Sequence, residues 1–255
     1  MDAEFSEFSY GYAAIREAEV GLGTIYKLAH APKLPSLVEE ELLGWDVHLA
    51  FVDYALFLQF KRPAFVSRRH PKSPTWDGVM APHYRYSIDT DGHQHRALLR
   101  LEEKLALSPG TGDIYYAAPV FHRQLEFDNA YSGGQVLASS SMVSPSDFGE
   151  DDGAHHLVAT TPGVATVMSD ARAAETATTW DRLETRARQK AHLAASREPT
   201  ARLTIGQLDD LLASSIRSLH RDIAIDPEVP IISRLHRSAA ILGCGLALVA
   251  LDPFA

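Results

Sequence analysis

Residues 45–63 read WDVHLAFVDYALFLQFKRP, and the order of apolar and polar residues in this stretch decides the fold class. Trp45, Val47, Leu49 and Phe51 alternate with Asp46, His48 and Ala50. A period of two predicts a strand, because successive side chains of extended backbone point to opposite faces. Leu56, Leu58 and Phe60 then alternate with Phe57, Gln59 and Lys61, which predicts a second strand. The connection of about four residues suits a tight antiparallel hairpin. Period two also places Gln59 and Lys61 on one face of the second strand, and pairing of the two strands brings Asp46 near that face. A carboxylate, an amide and an ammonium inside an apolar hairpin are costly to bury unless they are paired, hydrated or bound to a metal. That cost points to a site.

The chemistry such a site suits is phosphodiester hydrolysis. Mg²⁺ takes oxygen ligands in octahedral geometry and keeps several waters. Asp46, the Gln59 side-chain oxygen and the Phe60 carbonyl are the candidate donors for Mg²⁺ or Mn²⁺. A metal held there polarises the phosphate and activates a water. Lys61 is the candidate for orienting that water or stabilising charge on the phosphate.

Outward from this stretch, the chain alternates helical and extended segments. Residues 4–18, EFSEFSYGYAAIREA, place Phe8, Tyr12 and Ile15 at helical spacing, which predicts a helix with those three on one face. Ser36 precedes LVEEELLG, a short helix with Ser36 as N-cap and Gly44 closing it. A basic loop spans 61–82, and 83–88, HYRYSI, is strand or extended run. Leu98, Leu101 and Leu105 predict a helix over 93–107, and DIYYAAPVF at 113–121 a buried strand. Residues 135–168 carry short apolar runs broken by Ser, Gly and Asp, which predict weaker strands. Trp180, Leu183, Ala187, Ala191 and Ala194 trace one face of a helix over 171–197. Thr204 with Gln207 forms a capping box, opening a helix that continues through Leu208, Leu212, Leu219 and Ile223. After Pro227 and Pro230, the apolar run AAILGCGLALVAL predicts a buried closing helix, whose small residues Gly243, Gly245 and Ala247 permit close helix contact. The fold class is α/β or α+β. The expected division is a core over 1–125, extra strands and loops over 126–170, and a helical C-terminal region over 171–255.

GWDVHLAF followed by ALFLQFK resembles the catalytic hairpin of the PD-(D/E)XK, or restriction-endonuclease-like, nuclease superfamily. The resemblance covers about residues 4–121 and implies an αβββαβ core: a helix, a β-meander carrying the Asp, an acid or Gln followed two residues later by Lys, a helix and a further strand. It implies metal-dependent cleavage of DNA, with RNA left open, and prokaryotic genome defence, including defence against viruses, as the setting. Asp46 and Gln59 would hold the metal and Lys61 would assist the water. Many members add a Glu from the first helix; Glu7 is the first candidate, with Glu17 and Glu41 as alternatives. Gln94 corresponds to a Gln that some members carry on the helix after the catalytic strand. Two residues depart from the usual pattern. Gly44-Trp45 precedes the Asp where Pro is usual, and Gln59 is neutral where an acid is usual, which weakens cation binding. A catalytically weak or inactive nuclease-like subunit that binds nucleic acid or assembles with a partner is therefore the second reading. A scaffold of unrelated fold is the third.

Composition bounds the remaining possibilities. The chain has 255 residues, 45% of them hydrophobic, and a net charge of −9, ordinary for a globular protein and against one that coats nucleic acid with its whole surface. The single cysteine, Cys244, excludes an internal disulfide framework. The acidic start MDAEFSEFSY does not read as a leader, and the longest apolar run is too short to span a hydrocarbon core of about 30 Å as a helix. A cytoplasmic protein is expected. Lys61, Arg62, Arg68, Arg69, His70 and Lys72 form a local basic patch. Beside a phosphodiester site, Arg62, Arg68, Arg69 and Lys72 are candidates for nucleic-acid contact. The basic residues between Arg182 and Arg197 read instead as a solvated, salt-bridged helix face. Protein contact or self-association is expected through the helical C-terminal region. No spacing suits a zinc site, a nucleophile elbow, a Walker loop or a dinucleotide fingerprint.

Overall fold

The computed structural model describes residues 1–22, 52–68, 79, 81–107, 112–149, 153–168, 172–217, 226 and 228–251. The chain is a mixed α+β structure with six α-helices and two sheets among these residues. Helix α1 (Glu7–Gly21) starts where the Ser6 side chain accepts the Ser9 N–H at 2.9 Å. Strand β1 (Tyr54–Phe60) follows, buried along its whole length. Then come β2 (Ala64–Val66), β3 (His83–Asp89), α2 (His93–Leu107) and β4 (Gly112–Pro119). Helix α3 (Gln124–Ser132) leads to β5 (Ser140–Val143), β6 (Ala154–Thr161), β7 (Val164–Val167) and β8 (Arg172–Ala173). Helices α4 (Trp180–Ala195), α5 (Ile205–Arg217) and α6 (Ile231–Ile241) precede the last strand, β9 (Cys244–Val249).

The first sheet has the order β5-β4-β1-β9. Strand β1 is parallel to β4 and antiparallel to β9. Complete burial fits its near-continuous apolar sequence, because a strand covered on both faces needs no polar alternate. Tyr54, Leu56, Leu58 and Phe60 pack with α1 and α4 in one core cluster. Ala55 and Phe57 pack on the opposite face with residues of α2, α5 and α6. The second sheet, β2-β3-β6-β7-β8, is antiparallel throughout. Its Tyr86, Ile88, Leu157 and Val167 join the α2 side of the core.

Several expectations hold in detail. Helix α2 has the expected bounds. On α4 the buried residues are Trp180, Leu183, Ala187, Ala191 and Ala194, the expected face. At α5, Thr204 N–H donates to Gln207 Oε1 at 2.8 Å and Gln207 N–H to Thr204 Oγ1 at 3.2 Å, a closed capping box. Leu219 and Ile223 lie outside the described residues.

Others are corrected. Both edges of β1 are filled, by β4 and β9, so β9 occupies the edge that the expected hairpin partner needed. The expected strand Trp45–Phe51 and the helix after Ser36 lie outside the described residues. The closing apolar run is not one helix: α6 ends at Ile241, Gly243 takes φ +74°, and residues 244–249 are a strand. An unbroken apolar run carries no period, so a buried strand and a buried helix look alike in it. The C-terminal region is therefore helical only as far as α6, and its final strand lies within the first sheet. On α1, Ile15 is buried as expected, but Phe8 is 54% and Tyr12 40% exposed. The buried residues are Tyr10, Gly11, Ala13, Ala14, Ile15 and Ala18, and the glycine and alanines among them let the helix lie close to the sheet. Helix α4 begins at Trp180 rather than 171, because β8 precedes it. Helix α3 was not expected. Among the described residues no helix is long and apolar enough to cross a membrane.

Candidate functional site at the end of the central strand

Gln59 lies near the C-terminal end of β1, opposite Tyr116 of β4 on one side and Cys244 of β9 on the other. The strand direction continues past Phe60, since Lys61 N–H donates to Ala117 O at 3.0 Å. Lys61 therefore shares the face of Gln59, as period two requires. Its Nζ lies 5.5 Å from the centre of the Tyr116 ring, a cation–π contact. Gln59 is 4% exposed, and its Oε1 is buried with no hydrogen-bond partner among the described residues. A buried amide oxygen left without a donor costs roughly 1–3 kcal/mol, so this atom marks a place where a ligand, an ion or a water belongs.

The charges around Lys61 come from separate elements. Burial holds its ammonium below the usual lysine range, opposed by the Glu7 carboxylate on the first turn of α1 and by Asp89 at the end of β3. Burial pushes the Glu7 carboxyl up, and the Lys61 charge, the Arg62 backbone N–H and the Arg62 charge oppose that shift. Cys244 is not a second anion: burial pushes its thiol up to about 12, so it is neutral near pH 7.

Gln94, on the first turn of α2, donates its Nε2 to Leu242 O at 3.2 Å. A Cβ at Gly243 would stand 1.9 Å from Gln94 Nε2 and 3.4 Å from Gln59 Nε2. The α6–β9 turn thus brings the two amides to one spot, and a side chain at Gly243 would have to push the Gln94 amide aside as well as adopt a left-handed backbone. Behind Lys61, the Tyr116 hydroxyl is 2.7 Å from His95 Nδ1, and His95 Nε2 is 2.8 Å from Gly149 O. A carbonyl only accepts, so Nε2 carries a proton. In the neutral imidazole Nδ1 is then the acceptor, and Tyr116 donates to it.

The structure separates two of the three candidate glutamates. Glu7 is within Coulomb range of Lys61. Glu17 instead accepts from Val136 N at 2.9 Å and Leu137 N at 2.8 Å, and so anchors the segment before β5. Glu41 and Asp46 lie outside the described residues, as do Arg69, His70 and Lys72. Of the basic patch, Arg62 and Arg68 are described and exposed, and the Arg62 guanidinium donates to Ala3 O. On α4, Arg188 pairs with Glu184 at 2.8 Å and Lys190 with Asp113 at 2.7 Å, as expected of a salt-bridged face.

Tyr116, His95 and Asp89 were missed in the sequence. The one available signal was a buried tyrosine in the strand at 113–121, whose hydroxyl needs a partner. Asp89 sits before Thr90-Asp91-Gly92 and reads as a turn residue.

Among the described residues, no group of three or more His, Cys, Asp and Glu side chains converges to hold a metal. The orphaned Gln59 Oε1 is a suitable neutral oxygen donor for a hard cation. The set can bind an anion at Lys61 and place an acceptor beside it. Comparison with family models, with curated proteins and with solved structures returned no match.

Proposed function

We propose that the chain is a metal-dependent nuclease that hydrolyses phosphodiester bonds of DNA, on a restriction-endonuclease-like core. The observation that carries the reading is the buried, unpartnered Gln59 Oε1 beside a largely desolvated Lys61 at the end of the central strand. Two further features support it. Strands β1 and β4 are parallel with α2 between them in sequence, which matches the order of catalytic strand, helix and further strand in that superfamily. Glu7 reaches the site from the first helix.

Gln59 Oε1 would hold Mg²⁺ or Mn²⁺ together with the Asp46 carboxylate, which the family resemblance alone assigns now that β4 and β9 fill both edges of β1. Such an ion supplies charge to the phosphate and lowers the pKa of a bound water. Lys61 binds a non-bridging phosphate oxygen and stabilises the charge that builds on it, an effect strengthened by its low-dielectric surroundings. Glu7 balances the ammonium and keeps it protonated. Gln94 is placed to orient the substrate or a water next to Gln59.

Purified protein with Mg²⁺ or Mn²⁺ should nick or cut DNA, and Lys61→Ala should lower the rate by at least about a hundredfold, in the range that removing one charge-stabilising donor costs. Equal cutting by that variant discards the mechanism.

The second reading is a nuclease-like subunit without catalysis, which binds nucleic acid or assembles with a partner. The neutral Gln59 amide favours it, since it brings one negative charge fewer to a cation than a carboxylate would. Calorimetric titration with Mn²⁺ separates the two: heat of binding that Asp46→Ala removes supports the nuclease, and no heat supports the subunit.

A further inference from the structure

The outer side of α2 carries Arg96, Arg100 and Lys104, spaced one helical turn apart, with Arg100 exposed and the other two half-buried. The helix begins at the candidate site, where Gln94 touches the Gly243 turn, and Lys104 lies about 15 Å further along the axis at 1.5 Å per residue. Helix α5 packs alongside α2, and Lys104 Nζ donates to Ser214 Oγ at 2.6 Å and Ser215 Oγ at 3.3 Å. Arg217, exposed at the end of α5, extends the row. Arg96 Nη2 is 3.3 Å from His93 Nδ1.

The row differs from the other cationic helix. On α4, Arg188 and Lys190 have carboxylate partners. Arg100, Lys104 and Arg217 make no ion pair among the described residues. Lys104 is held by neutral hydroxyls, and its ammonium lies below the usual lysine range because of burial first and then the charges of Arg100 and Arg217. Two carboxylates, Glu103 and Asp210, are exposed on the same helices and form no ion pair among the described residues. Arg100, Lys104 and Arg217 thus lie together with no carboxylate in ion-pair contact among the described residues, and their mutual repulsion is a standing electrostatic cost. A polyanion lying along them removes that cost.

We propose that the α2 face formed by Arg96, Arg100 and Lys104, with Arg217 of α5, is a track for the phosphate backbone of DNA, leading the strand to and from the Gln59–Lys61 site. The spacing suits a backbone: one cation per turn, about 6 Å, against one phosphate per 3.4 Å of strand. The inference rests on the nuclease-like reading for its choice of polyanion, but binding tests it without hydrolysis.

Fluorescence anisotropy with a labelled DNA oligonucleotide, single-stranded and duplex, is measured in EDTA between about 50 and 200 mM salt. The full chain is compared with Arg100→Gln and with Arg100→Gln/Lys104→Gln. Because Lys104 also bonds α5, thermal unfolding of each variant is recorded, and the Arg100→Gln change, at an exposed position without hydrogen bonds, carries the test alone if the double variant unfolds early. The expected result is weaker binding on every sequence and a salt slope reduced by about 0.7–0.9 per cation removed. Unchanged affinity and slope overturn the track. So does an absence of DNA binding, or binding only to phosphatidylserine vesicles. Cutting that persists while affinity ignores Arg100 and Lys104 discards the track and keeps the nuclease. Track-dependent binding by a protein that never cuts does the reverse.

Discussion

Lys61 sits where burial and two carboxylates oppose one another. Its folded-state pKa is lowered, so the folded protein binds this proton less readily than the unfolded chain does. Stability therefore rises with pH between that lowered value and the ordinary lysine value near 10.4, and the protonated form is a liability near pH 7. Lys61→Met should unfold at higher temperature than the native chain at pH 7 while losing hydrolysis; a lower midpoint would show that the Tyr116 and Glu7 contacts outweigh burial. The proposed rate should fall on the alkaline side at a lower pH than an unperturbed lysine would set, and a profile flat to pH 10 would remove Lys61 from the chemistry. Gly243 is the second decisive residue. Its φ of +74° strains any side chain, and a Cβ there displaces the Gln94 amide. Gly243→Ala should cost about 1–2 kcal/mol from the left-handed backbone alone, read by urea unfolding, and should lower hydrolysis beyond that loss by displacing Gln94.

At the scale of elements, four separate helices and strands bring the groups of the site together. The first turn of α1 brings Glu7, the end of β1 brings Gln59 and Lys61, the first turn of α2 brings Gln94, and β4 brings Tyr116. Glu17, on the same helix as Glu7, has another task. Its two hydrogen bonds to Val136 and Leu137 fix the approach to β5, and Ser140 at the start of that strand accepts from Tyr10 of α1 at 2.9 Å. Glu17→Ala should cost roughly 1.5–3 kcal/mol, the range for hydrogen bonds to a charged group, seen as a lower unfolding midpoint, with the Mn²⁺ heat unchanged. Loss of that heat would place Glu17 in the site instead of Glu7. The family resemblance proposed both glutamates, but only packing told them apart: they lie ten positions apart on one helix, and each meets a different part of the chain.

Across the whole molecule, Asp53 just before β1 is fully buried. It accepts from Arg202 Nη2 at 3.0 Å and from Leu251 N at 2.8 Å, which ties the start of the central strand to the segment before α5 and to the end of β9. Asp53→Ala leaves the buried Arg202 charge without this carboxylate and should cost about 3–5 kcal/mol. Because β9 lies beside Gln59, the loss should also weaken the Mn²⁺ heat, while an unaltered unfolding midpoint would show that the pair holds nothing together.

Local order determined a good deal of this protein. The apolar run ending in the alternation of Leu58, Phe60 with Gln59, Lys61 identified β1 as extended and placed Gln59 and Lys61 on one face. Helical spacing identified α2 and the buried face of α4, and the Thr204–Gln207 pair marked the start of α5, because these features depend on neighbours within a few residues. Tertiary structure alone decided which strands flank β1, that the last apolar run splits into α6 and β9 at Gly243, that Tyr10 rather than Phe8 faces the core, and that Tyr116, His95 and Asp89 stand around Lys61. Pairing between segments nearly two hundred residues apart is settled by which apolar faces can be covered together, and no local pattern of residues carries that information.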